Sequence, residues 1–388
     1  AFEKGLTVQQ ASDLFSEKKA VPALNRALQG LFAPASTFKS VSVVAAAAAG
    51  YDLNASYNCP SEVQVGTRAF QNYDSKNQGR MNMKKAIAVS CDTIWYQIAF
   101  DEWLRDGGLR PKNNPNDYFF KAAQSFQLTE KVGIDLPSES RSRLADRDYK
   151  KSWFEQNKDF YCNYKTRATK AQQTPFLIQL AAENCVDGDK VRAGDAVNFS
   201  IGQGDTVVTP LKLTQMYAAI GNGGTIWQAL VAKAIVKTDG TVVKSFAPNK
   251  LGTLTTAPST VKFLQGALRE VVVSGTGAGV FAGFPIEVSG KTGTGQVFGR
   301  NPNGTLKDDT SWFASYAPSK KPRFAVVMMV GQGGFGASTS GVGVRQIYEA
   351  IFGVKGNKVV PGAAIYPNGK PPTDLPKISP ATKPKEAP

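Results

Sequence analysis

The spacing of apolar positions divides the chain into a helical half and a strand-bearing final third. Residues 37–49 (TFKSVSVVAAAAA) are dense in Ala and Val and are closed by Gly50, which predicts a helix entered just after Pro34 and ended by a glycine C-cap. Between residues 51 and 200, polar stretches alternate with helical patterns, MKKAIAV before Ser90 and DTIWYQIAFDEWL after it, so this region is expected to be mainly helical. Residues 209–221 (TPLKLTQMYAAIG) read as another helix, with Pro210 in its first turn. ALVAKAIVKTDGTVVKSF then reads as a hairpin turning at Asp239-Gly240. Further on, IEVSGKTGTGQV, DTSWFASYAP and RFAVVMMVG predict three antiparallel strands, followed by a helix near residues 343–352. Beyond Gly369, six prolines in nineteen residues cannot build a packed core, and residues 370–388 are expected to form a flexible tail.

Composition narrows the chemistry. At 388 residues, 42% of them hydrophobic, the chain can bury one large core or two ordinary ones. The excess of 46 Lys and Arg over 31 Asp and Glu gives +15 and favours a polyanionic neighbour, but the basic residues are spread along the chain. The clustered bursts of a nucleic-acid arm are missing, so nucleic acid is not the expected partner. No histidine is present, which excludes Ser-His-Asp and Cys-His mechanisms and zinc binding through imidazole. Cys59, Cys91, Cys162 and Cys185 are too widely spaced for a CxxC metal knuckle. They leave open three full pairings, a single disulfide, or buried thiols. The longest apolar run, residues 43–49, is too short to span a membrane, and no signal peptide is recognisable in the chain.

Without histidine, a serine nucleophile needs another base, and a lysine held close by can serve. The pattern Ser-x-x-Lys occurs three times, at Ser16, Ser36 and Ser259. Only Ser36 follows a proline at the start of a strongly apolar helix, where Lys39 stands one turn away and free backbone N–H groups can hold an oxyanion. A plain N-cap serine is the competing reading of Ser36. A second signal is Lys291-Thr292-Gly293-Thr294 on a strand, where Gly293 permits close backbone approach. Gly290-Lys291-Thr292 imitates the end of a phosphate-binding loop, but Pro285 stands where that motif needs glycine and no helix follows.

With Ser90-Cys91-Asp92 between them, these motifs resemble the penicillin-binding transpeptidases and their serine β-lactamase relatives. The resemblance runs in family order over roughly residues 20–352, through NRALQGLFAPASTFK, MKKAIAVSCDTIWYQIAF, GIDLPSE, SIGQGDTVVTPLKLTQMYAAIGNGG, SGTGAGV and SGKTGTGQ. It implies Ser36 as nucleophile, Lys39 as its base, Ser90 as proton relay and Lys291 as electrostatic partner. Thr292 and Thr294 would hold the substrate carboxylate, with Gly293 and Asp92 also facing substrate, and the N–H groups of Ser36 and Thr294 would form the oxyanion hole. Asp92 replaces the commoner Asn of the middle motif, although elongation-type class B members are similar in having SCD. Ser56-Tyr57-Asn58 and Ser75-Lys76-Asn77 match Ser-x-Asn strictly but lie in polar, loop-like surroundings. Gly202 and Gly204 of IGQG read as turn glycines.

The resemblance implies an α/β fold, an antiparallel sheet flanked by helices, with an inserted mainly helical subdomain over about residues 50–199 and the transpeptidase domain over 1–369. Relatives place two sheet strands just before the Ser-x-x-Lys helix; residues 1–30 show no clear pair, so an incomplete sheet or a trimmed start is expected. The implied activity is cross-linking of peptidoglycan stem peptides through a Ser36 acyl-enzyme, which β-lactams would trap, with no metal or cofactor. Alternatives on the same fold are a DD-carboxypeptidase, a β-lactamase, and a non-catalytic β-lactam sensor. The absence of an ExxLN motif and the long separation from Ser90 to Lys291 weigh against the β-lactamase, and the same length weighs against the sensor. The implied setting is the extracytoplasmic face of the bacterial membrane, anchored by a segment outside this chain, with a membrane glycosyltransferase as partner.

Overall fold

The computed structural model describes residues 5–16, 21–170, 172–297, 299–301 and 303–366. Its centre is an antiparallel sheet in which the strand Thr310–Ala317 lies between Ser289–Gly295 and Phe324–Val330. All eight residues of the middle strand are buried, because the sheet is covered on both faces. Alternation along that strand separates two cores. Trp312, Ala314 and Tyr316 join the larger one, shared with the helices Lys39–Ala48, Pro210–Gly221 and Pro258–Val273. Phe313 and Ala317 join the smaller one, built against the helix Val342–Phe352 through Val344, Tyr348 and Phe352. Local signals agree with these elements: Thr209 caps the helix Pro210–Gly221 by accepting from the Lys212 N–H, and Gly50, at φ +86°, follows the helix Lys39–Ala48.

The expected α/β architecture, its three strands and the hairpin at Asp239-Gly240 are present, the hairpin pairing Ala234–Val236 with Val242–Ser245. Residues 50–199 differ in part from the helical expectation. Two small antiparallel pairs, Tyr57–Cys59 with Gly79–Met81 and Glu62–Val65 with Arg68–Gln71, precede the helices Met83–Val89 and Thr93–Arg105. Strands of three or four residues carry too little alternation to register in a sequence. An outer lobe follows, in which the helices Arg147–Cys162 and Pro175–Asp187 are joined by a Cys162–Cys185 disulfide. Among the described residues the central sheet has three strands, and the helix Val8–Phe15 is the regular element before Ala35. The tail expected at 370–388 lies outside the described residues. No helix of the described residues is long and apolar enough to cross a membrane.

Candidate active site

Ser36 sits in a 3-10 turn, Ala35–Phe38, that runs directly into the helix bearing Lys39. Two glycines let this turn nest against its neighbours. A Cβ on Gly202 would lie 2.5 Å from the Phe38 Cβ and 2.7 Å from the Ala35 carbonyl, and the same glycine's carbonyl accepts from the Ala35 N–H. A Cβ on Gly293 would meet the Thr37 methyl at 3.0 Å and the Pro34 carbonyl at 3.2 Å, so the close approach foreseen for Gly293 is of strand to turn. Ser90 ends the helix Met83–Val89 in the left-handed conformation, φ 63° and ψ 33°, which aims its hydroxyl between two lysines. Lys39 Nζ is 3.1 Å and Lys291 Nζ 2.8 Å from Ser90 Oγ. Ser36, Ser90, Asp92, Thr292, Gly293 and Thr294 all line one cleft of about 550 Å³.

Both lysines are 0% exposed, and burial without water disfavours their charged forms. Burial pulls Lys39 below the ordinary lysine range, while the Asp92 carboxylate, whose Oδ1 lies 2.6 Å from Lys39 Nζ, pulls the other way. Lys291 is drawn down further, first by burial and then by the neighbouring Lys39 charge. Its Nζ donates to the Thr292 carbonyl at 3.0 Å, and Thr292 Oγ1 lies 2.6 Å from Thr276 Oγ1. The SGTGAGV segment thereby reaches the site, and the Thr276 N–H also donates to the Ala88 carbonyl in the turn before Ser90. Thr294 Oγ1 accepts from the Gly336 N–H.

The other serine patterns lead elsewhere. Ser259 and Lys262 are exposed on the outer face of the helix Pro258–Val273, and Ser16 ends the helix Val8–Phe15 while Lys19 lies outside the described residues. Ser75 stands at the cleft rim bonded to Gln71, and Asn58 is paired with Arg80 in a small antiparallel strand pair. Asp92 has a geometry that the motif did not suggest, since its carboxylate turns inward to Lys39 and is 6% exposed as a residue. Two partners holding it went unread. The Tyr73 N–H donates to Asp92 Oδ2 at 3.2 Å, and Asn72 Oδ1 accepts from the Asp92 N–H at 2.8 Å. Asn72 is buried, and its amide also donates to the Pro60 and Lys76 carbonyls. Nothing in the sequence separates it from the nearby Asn58 and Asn77. The cysteines pair as Cys59–Cys91 and Cys162–Cys185, so the thiol reading is corrected, and the first bridge places a covalent tie between Ser90 and Asp92.

A family model described as the penicillin binding protein transpeptidase domain matches residues 5–352. The chain belongs to that family. Among penicillin-binding transpeptidases, it is 24% identical over 386 residues to the peptidoglycan D,D-transpeptidase MrdA of Salmonella typhimurium, covering 94% of this chain and 53% of that protein. The MrdA of Acinetobacter baumannii is 26% identical, over 85% of this chain and 43% of the relative. The chain thus spans about half the length of the curated relatives it matches. Pseudomonas aeruginosa PBP2 in complex with WCK 5153 superimposes with a TM-score of 0.68 at 23% identity, covering 93% of this chain and 70% of that one. A ceftriaxone acyl-enzyme of penicillin-binding protein A from M. tuberculosis gives 0.62 at 19% identity, over 88% and 65%. At these identities the superpositions establish the fold.

Proposed function

We propose that this chain is the transpeptidase domain of an elongation-type class B penicillin-binding protein, in which Ser36 attacks the penultimate D-Ala carbonyl of a stem peptide. Terminal D-Ala leaves, and the acyl group passes to an amine on a neighbouring strand. The observation that carries this reading is the Ser90 hydroxyl held between Lys39 and Lys291, 3.1 and 2.8 Å away, in the floor of the cleft that Ser36 also lines. In a chain without histidine, a buried lysine of lowered proton affinity can take the serine proton. Ser90 then relays protons, the Ser36 and Thr294 N–H groups stabilise the oxyanion, and Thr292 and Thr294 receive the substrate carboxylate. Two disulfides support an extracytoplasmic setting. A membrane glycosyltransferase partner is supported by likeness to a structure described as coordinating polymerization and crosslinking in a peptidoglycan synthase complex, with a TM-score of 0.65 at 25% identity.

The test is covalent labelling by a fluorescent penicillin, expected at Ser36 and abolished in Ser36→Ala. Labelling that survives in Ser36→Ala but is lost in Ser16→Ala or Ser259→Ala assigns the nucleophile elsewhere. The acyl-enzyme is expected to persist for many minutes; rapid multiple turnover of penicillin would move the protein to the hydrolase reading.

A further inference from the structure

We propose that Asp92 is a positioning residue that sets where the proton shared by Lys39, Ser90 and Lys291 rests, holding it on Lys39 between reactions. The inference rests on the acyl-transfer reading of this site. An ammonium has three N–H donors, and Lys39 Nζ has three acceptors around it: the Ser90 carbonyl at 2.7 Å, Ser90 Oγ at 3.1 Å and Asp92 Oδ1 at 2.6 Å. The set satisfies the charged form in full. Lys291 Nζ contacts Ser90 Oγ and the oxygens of Thr292, and among the described residues no carboxylate lies in its shell. A neutral Lys291 amine can accept the Ser90 O–H while Ser90 Oγ accepts from Lys39. Asp92 is also built for this contact. It stands at the N-cap of the helix Thr93–Arg105 yet makes no side-chain cap bond there, and Asn72, the Tyr73 N–H and the Cys59–Cys91 bridge hold it turned toward Lys39.

The proton inventory follows. From Lys39–NH3+, Ser90–OH and Lys291–NH2, one N–H proton of Lys39 passes to Ser90 Oγ as the Ser90 proton passes to Lys291 Nζ. Lys39 is then neutral and accepts the Ser36 proton as the Ser36 O–H bond breaks and Ser36 Oγ bonds to the carbonyl carbon, the carbonyl π pair moving to its oxygen. Both forms carry one proton across the two lysines, so pH does not interconvert them. The acid limb of acylation marks entry of a second proton and the alkaline limb loss of the first, and both belong to the coupled pair. The Asp92 charge favours protonation at each stage, so it holds both limbs at higher pH. Besides the lysines, the groups facing this cluster are the Tyr96 phenol, raised by burial and by Asp92, and Arg68, Tyr73 and Asp74 at the rim.

Asp92→Asn keeps the shape and removes the charge. In the variant, the second-order rate of penicillin acylation against pH is expected to have both limbs displaced to lower pH, so that its rate relative to wild type is about tenfold higher on the acid limb than on the plateau. A plateau that falls with both limbs unmoved would make Asp92 a purely structural support and overturn the proposal. Because the variant can lose folding, the wild-type enzyme supplies a second readout: NMR of 15Nζ-lysine, with signals assigned by Lys39→Arg and Lys291→Arg, is expected to find Lys39 charged and Lys291 neutral at rest. The reverse assignment overturns it. Labelling of Ser36 is scored independently, so failure here leaves the acyl-transfer reading separately tested.

Discussion

The two disulfides tie together regions of opposite construction. Cys59–Cys91 lies in the largest core, which also takes in a helix whose residues 39–46 are all buried and one face of a strand buried along its whole length. Cys162–Cys185 joins the outer lobe, where the helix Arg147–Cys162 has no buried residue and Pro175–Asp187 buries Ala181 alone. The lobe's own apolar cluster is Tyr164, Ala168 and Ala181, and Phe176 and Val186 stand exposed. In the core, packing already opposes unfolding, and the bridge adds placement of its sequence neighbours Ser90 and Asp92. In the lobe, so little apolar area is buried that the bridge itself carries much of the order.

Substitutions should separate these roles. The largest effect is expected at Lys39→Arg, which keeps the charge but cannot accept the serine proton; acylation by penicillin should fall by about 10²–10⁴-fold. A variant of near wild-type rate would remove Lys39 as the base. Next comes Cys59→Ala with Cys91→Ala, for which stopped-flow acylation is expected to slow by about ten- to a hundredfold as Ser90 and Asp92 lose their placement. An unchanged rate would reduce this bridge to the same purely stabilising part as the other. Smallest on the chemistry is Cys162→Ala with Cys185→Ala. Acylation should remain within about twofold of wild type, while limited proteolysis should cut the lobe much faster, since losing a bridge of this span costs about 3 kcal/mol. Slowed acylation in that variant would erase the contrast between the two regions.

What the sequence disclosed follows the same division. Long elements with one dominant environment were legible: the Ala-rich helix after Ser36, the strands around Lys291 and Trp312, and the hairpin at Asp239-Gly240 all announce themselves by period or turn chemistry. Ser36, Lys39, Ser90 and Lys291 could be named because each stands in a short, ordered motif, and the fold brings them to one cleft and its floor. Asn72 and the inward turn of Asp92 were not legible. Both depend on which loop lies across the Ser90 turn, and that is decided by strands of three and four residues and by a cysteine pairing that spacing alone leaves open.

The Cys59–Cys91 bridge also gives the chain a chronology. Its sulfurs are 32 residues apart in the chain and fully buried once joined, so the bond must form while that region is still open to an oxidant. The geometry around Ser90 is therefore acquired during maturation, and it depends on the redox environment through which the chain has passed. A polypeptide that reached its final packing with both thiols reduced would hold the same residues in the same order and lack the tie between them. The arrangement around Ser90 is, in this sense, a record of where the protein was made to fold.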